Sequence, residues 1–136
     1  MKQVLVDTNA YAAFKRGDPE AVDILRQAQA IGLSAIVLGE LLSGFSAGRR
    51  DAENRRELGA FLDSPRVRVL PVDFETADFY ARIYANLRRR GKPIPTNDLW
   101  IAASALQHGA AIFTYDQHFS MVEGVVVINR VADLLP

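Results

Sequence analysis

The chain of 136 residues contains no cysteine, which excludes disulfides, thiolate zinc sites and cysteine nucleophiles. Two histidines leave little for a histidine-rich metal centre, so any bound metal sits mainly on oxygen. Net charge is absent as well: sixteen Lys and Arg balance sixteen Asp and Glu. No global field therefore advertises a polyanion, and nucleic acid, if bound, must meet a local basic patch. Long hydrophobic runs are missing too. The opening Val4-Leu5-Val6 stretch is broken by Asp7, too early for a signal sequence, and no run reaches the roughly 18 apolar residues of a membrane span. The expectation is a cytoplasmic protein without a membrane partner.

Hydrophobic residues make up 49% of the chain and charged residues 24%, which is the balance of a globular domain and not of a disordered segment. A chain of this length buries about two-thirds of its unfolded surface, so a single domain over residues 1–136 is expected, without linker, repeat or low-complexity stretch.

Val4-Leu5-Val6 reads as a buried parallel-type strand with an acid at its carboxyl end. A helix follows it. Asp18 and Pro19 mark a second helix start, as N-cap and first helical residue, running to about Ala30. Gly32 to Ala35 is a short strand feeding a helix from about Ile36 to Phe45, ended by Gly44, Ser46 and Gly48. Further helices are expected over residues 49–62, 74–90 (closed by Gly91) and 97–108, with an alternating strand over Val67–Leu70 and last strands at 111–114 and 125–128. Short strands alternating with helices predict an α/β domain of three layers, with a mainly parallel sheet flanked by helices.

In open α/β sheets the ligand crevice lies beyond the carboxyl ends of the strands. Asp7 directly follows the first strand, and Asp116 follows Ile112-Phe113 by three residues. Each also has a plain structural use, as a helix N-cap and an Asx-turn respectively. Asp98 opens the helix of residues 97–108, where the helix dipole alone favours an acid. That helix is uncharged from Leu99 to Leu106, however, so its amino end faces the interior crevice. Glu40 lies off the face formed by Val37, Leu38, Leu41, Leu42 and Phe45; it is either solvated or aimed back toward the same crevice. Carboxylates gathered in one crevice repel one another unless a cation holds them. An all-oxygen set favours Mg²⁺ or Mn²⁺ and suits attack of water on a phosphodiester.

Four segments in order carry a more specific signal: Val6-Asp7-Thr8-Asn9, Leu33-Ser34 through Glu40-Leu41, Pro95 through Ala103, and Phe113-Thr114-Tyr115-Asp116 with Phe119. Together they resemble the PIN domain, and within it the VapC-type toxins of bacterial toxin–antitoxin pairs. The resemblance spans the chain and implies a PIN-like fold with a ribonuclease site at Asp7, Glu40, Asp98 and Asp116, holding one or two Mg²⁺ or Mn²⁺ ions. It assigns supporting positions to Thr8, Asn9 and Thr114. It further implies a homodimer, a small VapB-type antitoxin whose tail crosses the site, a structured RNA target, often a transfer RNA, and hydrolysis leaving a 5′-phosphate. Some relatives carry another acid where this chain has Phe119, which weakens the case for a second metal.

Arg88, Arg89, Arg90 and Lys92 form the densest basic run and lead into the Asp98 segment, making them the first candidates for phosphate contact; a solvated helix end explains them equally. Arginines 49, 50, 55 and 56 interleave with acids, as on a salt-bridged surface helix. His118 can reach a phosphate or serve as a hydrogen-bonded turn residue, and Trp100 is expected in the core. A receiver domain is excluded because Pro71 follows the middle strand and no lysine follows Lys92. A haloacid-dehalogenase-like phosphatase is excluded because Asn9 stands where it needs an acid. The remaining alternative is a PIN fold that binds RNA or protein without cutting. If the carboxylates form a preformed cation site, millimolar Mg²⁺ or Mn²⁺ raises the melting temperature, measured by thermal denaturation with and without EDTA.

Overall fold

The computed structural model describes residues 3–135. Its centre is β1 (Gln3–Val6), whose Val4, Leu5 and Val6 are fully buried. β2 (Ala30–Ser34) and β3 (Val67–Leu70) lie on one side; β4 (Ala111–Phe113) and β5 (Val127–Ile128) lie on the other. The order is β3-β2-β1-β4-β5 and every pairing is parallel. Val4 stands opposite Ile31 in β2 and Ala111 in β4. Burial of every β4 residue and of nearly all of β1 and β2 requires cover on both sheet faces, which six helices supply. The expected three-layer α/β architecture is present, with a sheet that is wholly parallel.

The helices begin where local chemistry favours them. Asp7 caps α1 (Thr8–Lys15), and Asp18 caps α2 (Pro19–Gln27) by accepting from the Ala21 amide at 3.1 Å. α2 stops at Gln27 and not at the expected Ala30, because Ala30 already pairs with Gln3 as the first residue of β2. Ser34 ends β2 and caps α3 (Ala35–Ala47), its hydroxyl accepting from Val37 at 3.2 Å. Gly44 and Ser46 lie inside α3, and only Gly48 ends it. α4 (Asp51–Leu62) carries the Arg50–Glu53 and Arg55–Asp51 pairs expected of a solvated helix.

β3 departs from the alternation in its sequence. Val69 is 48% exposed beside Arg68, since an edge strand is covered on fewer sides than the strands within. Next to it, a Cβ on Gly32 would meet the Leu70 Cδ1 at 2.7 Å, so glycine leaves room for the Leu70 side chain to lie over β2. No helix among the described residues is long and apolar enough to cross a membrane.

α5 (Phe74–Arg89) and α6 (Thr96–His108) pack together, and Gly91, with φ +65°, ends α5 as expected. Trp100 is half-buried rather than in the core: it stacks on Tyr80 of α5 at 4.1 Å between centroids. At the amino end of α5, Asp73 accepts from the Thr76 amide at 3.0 Å and from Gln107 Nε2 of α6 at 2.9 Å. The Thr76 bonds, then Gln107, hold the Asp73 carboxyl below its ordinary 3.8. A lowered carboxyl adds stability above the unfolded value and loses it as pH falls through the folded value. Asp73→Ala therefore melts at a lower temperature than wild type at pH 7, and the gap closes as the pH drops below 3.8; thermal scans across pH measure this.

Candidate active site

The carboxyl end of β1 delivers Asp7 into the interior. Its amide donates to the Phe113 carbonyl at 3.0 Å, tying it to β4, and its side chain is only 5% exposed. Oδ1 accepts from the Thr8 amide at 2.8 Å, and Oδ2 accepts from the Thr114 hydroxyl at 2.7 Å. The same Thr114 oxygen accepts from the Asp116 amide at 3.0 Å. Asn9 Oδ1 accepts from the Tyr115 amide at 3.1 Å, fixing the segment that follows β4.

Glu40 lies in the second turn of α3 and does point back to this place. Its Oε1 accepts from the Thr8 hydroxyl at 2.5 Å, and its Oε2 from Asn97 Nδ2 at 3.1 Å. Asp98, buried in the first turn of α6, lies 2.9 Å through Oδ2 from His118 Nδ1. Asp116 Oδ1 accepts from the His118 amide at 2.8 Å and lies 3.0 Å from the same ring nitrogen. Four acids drawn from four separate parts of the chain thus share one crevice.

Their electrostatics record the crowding. Burial pushes the Asp7 carboxyl above its ordinary value; its hydrogen bonds from Thr114 and Thr8 oppose this, and the charges of Asp98 and Glu40 add to it. Burial also raises Asp98, with Asp116 and Glu40 contributing in the same direction. His118 is raised chiefly by its bond to Asp98. Ligand atoms of Asp98, Asp116 and His118 lie within 4.8 Å of one another. The carboxylate oxygens, crowded by their own repulsion, fit a hard divalent cation such as Mg²⁺ or Mn²⁺, while the His118 imidazole is engaged with Asp98 and Asp116. Phe119 is fully buried and anchors the 3₁₀ turn of Gln117–Met121, so its position offers the crevice no ligand.

The profile described as PIN domain matches residues 4–125. The chain belongs to the PIN domain family. Among its relatives, Ribonuclease VapC4 of Mycobacterium tuberculosis is 29% identical over 131 residues, covering 95% of this chain and 98% of the relative. VapC ribonuclease Y4jK of Sinorhizobium fredii is 31% identical over 135 residues, covering 93% and 96%. In structure this PIN domain superposes with TM-score 0.73 and 25% identity on VapBC-5 of M. tuberculosis, a member of the VapBC family of toxin-antitoxin systems, covering 94% of this chain and 97% of that one.

Asp7, Glu40, Asp98 and Asp116, with Thr8, Asn9 and Thr114, meet in the crevice of this PIN domain. Arg88, Arg89, Arg90 and Lys92 are exposed at the end of α5, where Arg90 donates to Asn86 and to the Met121 carbonyl. Two contacts are not legible in the sequence. Asn97 was only a neighbour of Asp98, and nothing in its spacing showed that it would reach Glu40, 57 residues away. The sequence offers His118 a phosphate or a turn role; its contact with Asp98 depends on α6 packing against the 3₁₀ turn. Thr114→Val leaves the Asp7 carboxylate and the Asp116 amide without their shared partner, at a cost of about 1–3 kcal/mol in urea unfolding. Affinity for Mn²⁺, measured by calorimetry, falls about 10–100-fold, as for other outer-shell partners of metal ligands.

Proposed function

We propose that this PIN domain is a metal-dependent endoribonuclease toxin, hydrolysing phosphodiester bonds in structured RNA and neutralised by a cognate VapB-type antitoxin. The observation that carries the reading is the convergence of Asp7, Glu40, Asp98 and Asp116 on one crevice at the carboxyl end of a parallel sheet, with Asp7 and Asp98 buried. The relatives support it, named as ribonucleases and as members of toxin–antitoxin systems. We assign transfer RNA as the first substrate class to try, a homodimer as the working form, and the cytoplasm as the place of action. The whole activity is assigned to one domain.

The residues divide the work. Asp7, Glu40, Asp98 and Asp116 hold Mg²⁺ or Mn²⁺. When bound, the cation offsets their charge, polarises the scissile phosphate and makes the attacking water more acidic. Thr8 orients Glu40, Thr114 orients Asp7 and the Asp116 loop, and Asn9 fixes the segment between them. Carboxylates not engaged with the cation accept the proton of the attacking water. Arg88, Arg89, Arg90 and Lys92 contact phosphates of the RNA as it approaches α6, a sequence-independent attraction that weakens with salt.

Antitoxin-free protein incubated with total RNA in Mn²⁺ yields new 5′ ends at a few positions, and none in EDTA. Asp7→Asn, which keeps a cap at α1, lowers cleavage at least about 100-fold, the loss of a few kcal/mol of charge stabilisation. Intact RNA in both conditions, from protein shown to be folded, transfers the assignment to a PIN fold that binds RNA or protein without cutting.

A further inference from the structure

Tyr115 stands between Thr114, which holds Asp7, and Asp116, yet it has no part in the crevice. Its residue surface is 42% exposed, whereas Phe113 two positions earlier is fully buried. The two rings meet edge to face, with centroids 5.7 Å apart and planes at 70°. The Tyr115 amide donates to Asn9 Oδ1. Asn9 fixes the backbone beneath the ring and Phe113 braces its flank, so the open surface of the ring is presented in one orientation. A side chain already held this way loses little entropy when a flat ligand covers it.

The charges that act on its phenol are Asp18 and Glu20, with Arg16 opposing them. Asp18 is engaged as the cap of α2, and Glu20 accepts from the Val131 amide, so both acids are fixed in place. Two fixed acids disfavour a phosphate on this ring. A flat, uncharged ligand meets no such penalty, and next to a phosphodiester-cleaving crevice that ligand is a nucleobase.

We propose that Tyr115 is a stacking platform for an unpaired nucleobase that flanks the scissile phosphate, so that it selects where the RNA is cut. The proposal rests on the ribonuclease reading above. The base must be unpaired, because in a duplex both faces of a base are covered by its neighbours.

The binding test needs no cleavage. Fluorescence anisotropy in EDTA compares a labelled single-stranded RNA of mixed sequence, about 12 nucleotides long, with its blunt duplex, a length within the footprint of single-strand binders. Wild type binds the single strand more tightly. Tyr115→Ala and Tyr115→Leu lose about tenfold affinity for the single strand while Tyr115→Phe stays within about twofold, as base–aromatic stacking requires. Circular dichroism and melting show that each variant is folded, as expected for an exposed ring. In Mn²⁺, Tyr115→Ala raises KM more than it lowers kcat and moves the mapped 5′ ends. Equal single-strand affinity of Tyr115→Ala and wild type overturns the platform, as does a wild type that binds duplex equally well. Wild-type cleavage with Tyr115→Ala cutting at the same sites and KM also overturns it, and leaves the ribonuclease reading standing. The stacking pattern in EDTA without cutting in Mn²⁺ does the reverse.

Discussion

The hydroxyl of Thr114 donates to Asp7 and accepts from the Asp116 amide, at a position with no exposure to water. The rest of the crevice depends on that link, because it ties the Asp7 carboxylate to the backbone of the segment that carries Asp116, a second acid. Thr8 makes the corresponding link between the start of α1 and Glu40 on α3. Both links use neutral donors. A carboxylate has about four lone-pair directions, so an acid held by one or two such bonds keeps others free for a cation. Asp98 and Asp116 are held differently, both against Nδ1 of His118. One half of the crevice is thus fixed by hydroxyls and the other by a titratable imidazole.

Where a residue's role was set by its immediate neighbours in sequence, it was legible. The caps Asp7 and Asp18, the strand of Val4–Val6 and the glycine that ends α5 follow from local rules, and all appear in the structure. The four acids could be nominated by their places after strands or at helix starts, and the four spaced segments gave their grouping. What could not be read depended on distant partners. α2 ends early because Ala30 is claimed by a ladder with Gln3, and Val69 faces water because β3 lies at the sheet edge. Trp100 lies in an apolar helix, but the side it presents is set by Tyr80 on α5. The Asn97–Glu40 and His118–Asp98 contacts belong to the same class, since they arise only when α3, α6 and the 3₁₀ turn converge.

The plain and the chemical readings of the acids turn out to be compatible. Asp7 caps α1 with Oδ1 and meets Thr114 with Oδ2, and Asp116 caps its turn while facing His118. Backbone amides at a helix start and a divalent cation both attract negative oxygen, and one carboxylate has enough oxygen for both. Spacing alone therefore cannot separate a cap from a ligand. Burial can, because a cap in water needs no desolvation, whereas Asp7 is raised by it.

The pairing of β1 with β4 bears on the order in which the acid set can assemble. Asp7 and Thr114 are 107 residues apart, and the pairing of β4 with β1 brings them together. A nascent chain that has released β1, β2 and β3 still lacks the partner for Asp7 and holds only part of the acid set. The acid set is therefore assembled only when β4 docks beside β1, which makes its geometry a property of the folded sheet and not of any contiguous segment.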